Sequence, residues 1–495
     1  MTSSSTAEGS GTSARAPRPL RRIPTSPYPL KQLHPSSSIP RFPLIAPETE
    51  EAKQYAESSI DGSILQQAKK AFEQVRPVLA INVPAKQTSL FQNHQHLKQN
   101  VLRVPRLRPL KSDPNDPDRR ILLFNVEKLE DLSTEGQEVL RSAEAEGTLN
   151  ITSDEVRAEY DHWNADDVLS ALLPEGLPEG TPTAFTTTGH IAHVNLRDEY
   201  APYRFIIGQV ILDKNTAIRT VVNKLDTIDN EFRFFKMERL AGDDDYMVTL
   251  SESGCSFTFD FRTVYWNSRL HTEHARLLDI FKPFEVISDV MAGVGPFAVP
   301  AAKRGCHVLA NDLNPASYES MLVNQVKNRV EDRLKPFCED GRAFIRNSIK
   351  LCWEKPSDGT PVSELDRKTV LSSNTRLIDH FVMNLPATAI EFLDAFRGAY
   401  KDIAGEELEK ELERRSNTEG KETVFPMVHV HCFTKDLEEP YRDICQRANK
   451  AMGIPEDSPH PPSETSLHLV RSVAPNKDMY CLSFRLTRAI LFDTI

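Results

Sequence analysis

The sequence predicts an α/β protein: a doubly wound parallel sheet in its C-terminal half, preceded by two smaller α/β or α+β modules. Three observations carry this. From residue 271 onward, strand-like and helix-like segments alternate, which places helices on both faces of a parallel sheet. The first of those strands runs into a glycine turn, Asp289-Val290-Met291-Ala292-Gly293-Val294-Gly295-Pro296-Phe297, that opens a helix. A chain of 495 residues makes about three domains at roughly 150 residues each.

Hydrophobic residues are 39% and charged residues 26% of the chain, a globular balance. No apolar run approaches the ~18 residues that span a bilayer, so a membrane protein is excluded. The net charge of −11 excludes a uniformly basic coat but not a local basic patch. Seven cysteines form no C-x-x-C pair, which argues against a zinc knuckle or redox motif, and their odd, sparse count suits reduced thiols. The first 20 residues lack the apolar core of a secretory signal. Residues 1–47 hold nine prolines, six Arg/Lys and one acid, Glu8, the composition of a disordered tail. A mitochondrial transit segment is also Arg- and Ser-rich and acid-poor, although the prolines oppose its amphipathic helix.

The remainder divides into 48–183, 184–270 and 271–495. Ile64, Leu65, Ala68, Ala71 and Phe72 recur at helical spacing, so 48–82 reads as helix. Residues 98–111, KQNVLRVPRLRPLK, carry five positive charges and no acid; a strand candidate, RRILLFNV, follows at 119–126. Residues 127–183 are acidic, end in PEGLPEGTPT, and read as a linker. In the middle part GHIAHVNL alternates like a half-buried strand. RFIIGQVILDKN is a strand or short helix, and 220–225, 232–242, 245–261 and 263–266 are strand-like. From 271 the order is helix (HTEHARLLDIF), strand to the glycine turn, helix (PFAVPAAKRG), strand (CHVLANDLN), helix from Pro315, strand (LKPFCEDG), and helix (GRAFIRNSI). It continues with strand (LIDHFVMNLP), helix (ATAIEFLDAFRGAY), strand (VFPMVHVHCF), and a closing hairpin of SLHLVRSVAP and MYCLSFRL. The charged insertions 351–375 and 403–423 read as exposed loops or solvated helical extensions.

The glycine turn is the first nucleotide-binding position of such a sheet. Its spacing is G-x-G followed by Pro, which removes an N–H from the helix start and weakens a pyrophosphate cradle. A nucleoside without phosphate fits better, pointing away from NAD and toward S-adenosylmethionine. The second strand ends at Asp312, 23 residues after Asp289, where an acid can accept both ribose hydroxyls. The third ends at Cys338-Glu339-Asp340-Gly341, the fourth at Asn384-Leu385-Pro386. Four such turns in order make coincidence a poor account.

These motifs, with GHIAHVNLRDEY, NEFRFFKMERLAG, TVYWNSRLHTEHAR, DVMAGVGPFAVPAA, NDLNPASYE, EDGRAF and FVMNLPATAIEFLDAF, resemble the eukaryotic and archaeal tRNA (guanine(37)-N1)-methyltransferases. The resemblance is close over about 185–400 and weaker toward both ends. It implies a Rossmann-like class I methyltransferase domain behind two RNA-binding modules, using S-adenosyl-L-methionine. It implies that Glu273 removes the guanine N1 proton, that Arg233 contacts O6, and that Asn384 lies beside base and methyl donor. Tyr265, His274, Leu313, Asp340 and Gly341 match donor-contacting positions and join Asp289, Gly293, Gly295, Asp312 and Asn384 in the expected cofactor site.

Guanine N1 carries a proton at neutral pH, so methylation needs a base for that proton and stabilisation of charge on O6. Glu, Arg and Asn supply that set. Nothing in the sequence suggests a required metal, and His190 and His193 read as ordinary strand residues. The expected partner is tRNA, held at its anticodon stem-loop and outer corner by a monomer, with Lys98, Arg103, Arg106, Arg108 and Lys111 as a phosphate-contacting strip. The reaction would also open the route to wybutosine in tRNA-Phe. The resemblance suggests cytoplasm and nucleus, with the mitochondrial matrix if the tail directs import. Two alternatives stay open: the aminocarboxypropyl transferase of wybutosine synthesis, and a non-catalytic tRNA-binding protein.

Overall fold

A computed structural model describes residues 39–104, 106–178, 180–225, 236–353, 377–419, 424–454 and 464–493. The chain forms two compact units, Met1–Thr183 and Ala184–Ile495.

In the first unit, strands β1 (Gln74–Pro84), β2 (Leu110–Ser112), β3 (Arg119–Leu123) and β4 (Asn150–Ala158) make an antiparallel sheet in the order β2-β3-β1-β4. Helices α1 (Glu50–Ser58), α2 (Ser63–Lys70), α3 (Thr88–Gln92), α4 (Thr134–Ala145) and α5 (Ala165–Leu172) accompany it. The helical reading of 48–82 therefore fails beyond Lys70. Val78, Leu79, Ala80 and Ile81 are buried in succession, as in a central strand covered on both faces. The linker reading of 127–183 fails too. Ser133 caps α4 by accepting from Gly136 N, and β4 pairs with β1 along its full length. Only Val156 and Ala158 of β4 are fully buried, so its acidic outward residues hid a strand. Residues 39–47 are not a loose tail. Ile39 and Ile45 are buried, Phe42 N donates to Leu172 O, and Arg41 donates to the Ser170 and Leu173 carbonyls. Residues 1–38 lie outside the described residues. In the basic strip Val101, Leu102 and Val104 are buried, and Lys98, Arg103, Arg106 and Arg108 are exposed. Lys111 is paired with Asp154 at 3.0 Å.

In the second unit, β5 (Thr186–Thr188), β6 (Ile191–Val194), β7 (Thr220–Lys224) and β8 (Met237–Gly242) form one sheet, packed by α6 (Arg204–Lys214). The 204–215 segment is thus helix, not strand. Strands β9 (Met247–Glu252) and β10 (Cys255–Asp260) form a hairpin; residues 263–266 form no strand. The hairpin is held by α9 (Pro315–Asn328). Asn324 Oδ1 accepts from Thr258 N at 2.7 Å, Asn328 Oδ1 accepts from Ser256 N at 2.9 Å, and Asn328 Nδ2 donates to Ser256 O at 2.7 Å.

The main sheet has seven strands: β11 (Val286–Asp289), β12 (His307–Asn311), β13 (Leu334–Phe337), β14 (His380–Met383), β15 (Met427–Thr434), β16 (Ser466–Ala474) and β17 (Lys477–Arg485). Their order is β13-β12-β11-β14-β15-β17-β16, parallel through β15, with β17 and β16 closing as an antiparallel hairpin. This is the doubly wound sheet the sequence predicts. The order reverses at β11/β14, the crevice where such sheets bind ligands. Alternate residues enter two apolar clusters: Val286, Leu309, Phe381 and Met383 one, Ile287, Val308, Ala310 and Val382 the other. Helices α7 (His271–Leu278), α8 (Ala298–Lys303), α10 (Gly341–Trp353), α11 (Glu406–Glu419) and α12 (Pro440–Met452) belong to this part. Ala389–Phe396 is a 3-10 helix rather than the expected α-helix.

The insertion at 403–423 is not a solvated extension. In α11, Leu408, Leu412 and Arg415 are buried, and Arg415 Nη1 donates to Asp379 Oδ1 at 2.8 Å. That anchor lies where β14 begins, at the sheet end away from the glycine turn. Of 351–375, residues 354–375 fall outside the described residues. No helix among the described residues is long and apolar enough to cross a membrane.

Candidate active site

Four strand ends build the first half of the site. Asp289, closing β11, is completely buried, and neither carboxylate oxygen has a hydrogen-bond partner among the described residues. Burial, then the neighbouring Asp312, push its carboxyl up to about 8 against the opposing charge of His431 and the nearby Met291 amide. Beyond β12, Asp312 Oδ2 accepts from Gly293 N at 2.8 Å and Oδ1 from Asn314 N at 2.9 Å. Burial raises its carboxyl too, against those amides and the Ser317 hydroxyl. Gly293 has φ +57° with open space where a Cβ would point, whereas a Cβ on Gly295, at φ +92°, would meet Val299 Cγ2 at 2.8 Å. Both positions therefore need glycine, the first for the approach of a ligand and the second for packing. After β13, Asp340 Oδ1 caps α10 by accepting from Arg342 N and Ala343 N. Gly341 lies under the Phe392 ring, 3.1 Å from an added Cβ. After β14, Asn384 Oδ1 is buried without a partner. Leu313 is exposed beside Asp312.

Sequence reasoning missed the residue that pins these ends together. Asn311 Nδ2 donates to Val290 O and Glu339 O at 3.1 and 3.0 Å, and its Oδ1 accepts from Glu339 N at 2.8 Å. Its place just before Asp312 was the available signal. Orphaned acceptors beside a Cβ-free turn suit a ligand rich in hydrogen-bond donors, such as a nucleoside bearing an amino group.

The second half centres on α7. Tyr265 precedes it, 48% exposed, its hydroxyl accepting from Asn267 Nδ2 at 3.3 Å. His274 is buried, its Nδ1 bonded to Glu252 of β9 and its ring edge-on to Phe297 at 4.6 Å. Glu273 departs from the expectation of an accessible base, for only 2% of it is exposed. Arg276 clamps it with Nε to Oε2 and Nη2 to Oε1, both 2.7 Å, and His431 Nε2 donates to Oε1 at 2.8 Å. Burial works to raise its carboxyl, but Arg276 and His431 hold it down at about 2. A carboxylate has about four acceptor sites; three are used. The remaining one is on Oε2, where His468 Nε2 stands 3.7 Å away.

His431 is wholly buried on β15. Burial opposes its charge, but Cys481 and Glu273 raise it to about 10. Glu273, His431 and Cys481 bring one donor atom each within 4.8 Å of one another. Arg276 already grips both carboxylate oxygens, so the cluster is an ion-pair network rather than a cation site. The sequence reading missed Arg276, His431 and His468. The signal for His431 was the H-x-H of VHVHCF, which puts His429 and His431 on one face of a buried strand. Arg233 lies outside the described residues.

Comparison with known proteins adds two family matches: residues 165–245 match the TYW2 N-terminal domain and 248–352 the TRM5/TYW2 methyltransferase domain. A Coprinopsis cinerea protein named tRNA (guanine(37)-N(1))-methyltransferase is 45% identical over 87% of this chain and 96% of its own. One of the same name from Schizosaccharomyces pombe is 42% identical over 86% and 94%. Among solved structures, aTrm5 complexed with tRNALeu superposes with TM-score 0.55 at 19% identity, covering 83% of this chain and 100% of that one. Trm5b from Pyrococcus abyssi gives 0.52 at 20% identity, covering 82% and 99%. These two speak to the fold alone.

Proposed function

The chain belongs to the family of tRNA (guanine(37)-N(1))-methyltransferases, and on that premise we propose that it methylates N1 of guanosine 37 in tRNA with S-adenosyl-L-methionine. The carrying observation is the coincidence of near full-length relatives of that name with a crevice at β11/β14 whose buried acceptors are unpaired. The residues present fit the cofactor. Asp312 keeps lone pairs for ribose hydroxyls beside its two amide bonds, and Asp289 offers an unpaired carboxyl that a cofactor ammonium would draw into its ionised form. When bound, the cofactor supplies an electrophilic methyl group on a sulfonium.

The protein's part is to orient the base and take its proton. The guanine leaves its stack to enter the pocket. The orphaned Asn384 Oδ1 is an acceptor for a base N–H, and Oε2 of Glu273 has the one unused site that can receive the N1 proton. A carboxylate held near 2 is ionised at every working pH but has little proton affinity, so it passes the proton on rather than storing it. Arg233 is assigned to O6 through the resemblance.

The tRNA is met in part by Arg103, Arg106 and Arg108, exposed on the basic strap of residues 98–111. Replacing all three by alanine should lower the log–log salt slope of tRNA binding by about 0.9 or less per lost phosphate contact, with donor affinity constant. An unchanged slope would remove the strap from the interface. The enzyme acts as a monomer, which sedimentation with and without tRNA checks. Import through residues 1–47 is read by localising a fusion of that segment.

The match of 165–245 to the TYW2 N-terminal domain favours one alternative, transfer of an aminocarboxypropyl group. Incubating the purified protein with unmodified tRNA transcript and labelled donor, then mapping and weighing the modified base, decides it. One added methyl at N1 supports this function, a four-carbon amino acid group the alternative, and no product a binding protein.

A further inference from the structure

Three strands place a row of side chains against Glu273. His431 of β15 lies opposite Cys481 of β17, which lies opposite His468 of β16. Directly opposed residues share one face of a sheet, and α7 carries Glu273 and Arg276 onto that face. The row is graded in burial: the His431 side chain is wholly covered, while that of His468 is 48% exposed. From the described residues of the sheet, His431 hydrogen-bonds the carboxylate at 2.8 Å to Oε1, while His468 stands 3.7 Å from Oε2. The His431 ring also lies 6.0 Å from that of Phe297, which follows the glycine turn, and its charge opposes the rise of the Asp289 carboxyl.

We propose that His431 is the positioning residue of the methyl transfer: its hydrogen bond to Oε1 fixes Glu273 in the orientation that leaves Oε2 free for the guanine N1 proton. The inference rests on the reading of Glu273 as proton acceptor. Arg276 alone does not set that orientation. Its two bonds run to both oxygens from the same helix, three residues on, and its own tie to the sheet is a thiol, Cys481 of β17, a weak partner. His431 is the fixed point, because it stands on an interior strand paired on both sides. No covalent step is ascribed to it; it donates to Oε1 before and after the proton arrives at Oε2.

The charged and titratable groups that act on Glu273 or its partners are Arg276 on its own helix, His429 and His431 on β15, His468 on β16 and Cys481 on β17, with Asp289 of β11 sensing the charge of His431. Removing the His431 charge leaves burial opposed by Arg276 alone, so the Glu273 carboxyl moves up. Its protonation then enters the accessible pH range, where in the native enzyme it lies below it.

The test is a single-turnover methyl-transfer rate against pH, with saturating tRNA and donor, for the full chain and for His431→Ala, His431→Gln and Glu273→Gln, each checked by thermal melting. His431→Ala should lose about 10²-fold in rate, the scale of a misplacement near 1 Å, and gain an acid limb absent from the native profile. His431→Gln keeps a neutral N–H donor; it should recover most of the rate and show a weaker acid limb. It also carries the test if the alanine variant does not fold. A Glu273→Gln rate within threefold of native would overturn the underlying reading. A strong Glu273→Gln loss, with both folded His431 variants near the native rate and free of an acid limb, would overturn this inference and leave that reading standing.

Discussion

The donor crevice and the Glu273 cluster are two polar regions of one sheet, built on opposite principles. At the crevice, Asp289 and Asn384 bury acceptors that nothing among the described residues satisfies. In the cluster, the Glu273 carboxylate is held by two partners through three hydrogen bonds, although the far ring nitrogen of His431, Nδ1, has no hydrogen-bond partner among the described residues. The carboxyls answer accordingly: Asp289 is pushed up to about 8, Glu273 held down at about 2. An unsatisfied buried group is costly and persists where a ligand completes it. A satisfied one shows the protein supplying its own counter-charge so that a side chain stays put.

The sharpest way to break this contrast is Glu273→Gln. The single-turnover rate should fall by about 10²- to 10⁴-fold, the usual range for general-base catalysis. Because Arg276 and His431 lose a buried counter-charge, stability should fall as well, by about 3–5 kcal/mol. A melt that does not move would mean that the cluster is not the network described. The native rate should show no acid limb from Glu273 above about pH 4, two units above its pKa of about 2.

Asp312→Ala tests the crevice. Losing a charge-assisted acceptor is worth about 1.5–3 kcal/mol, roughly ten- to hundredfold in donor affinity by calorimetry. Unchanged affinity would move the ribose contact elsewhere.

The mildest test is Asp289→Asn. A carboxyl raised in the folded state favours its protonated form, so native stability falls as pH rises from the unfolded value near 4 toward about 8. The amide removes that loss. The variant's melting temperature should therefore pull steadily ahead of native across that window, and the gap should level off above it. Donor binding should weaken at the same time. A gap that stays constant with pH would show that Asp289 does not titrate there.

The crevice was legible in the sequence and the cluster was not, for the same geometric reason. The turns at Gly293, Asp312, Asp340 and Asn384 are local: each announces itself within a few residues of a strand end, and the fold class fixes their order in space. The union of Glu273, His431, Cys481 and His468 depends on strand register between segments far apart in the chain. Composition misled in the first unit, where β4 shows acids to solvent and reads as linker. It misled again at α11, where the charged helix hides Leu408, Leu412 and the Arg415–Asp379 pair. The run 74–84 was lost because a strand buried on both faces has no alternation to read.

The asparagine clamp of α9 has a consequence for how the hairpin behaves in a crowded cell. A two-stranded ribbon ordinarily offers open edges to any passing chain and is an invitation to edge-to-edge aggregation. Here Asn324 and Asn328 meet the outward amides of Thr258 and Ser256, and Asn328 also takes the Ser256 carbonyl. Two side chains thus imitate a third strand without offering a further edge. Those two amides should resist exchange with deuterated solvent as interior sheet amides do, and an alanine at either asparagine should release its amide while exposing a sticky border.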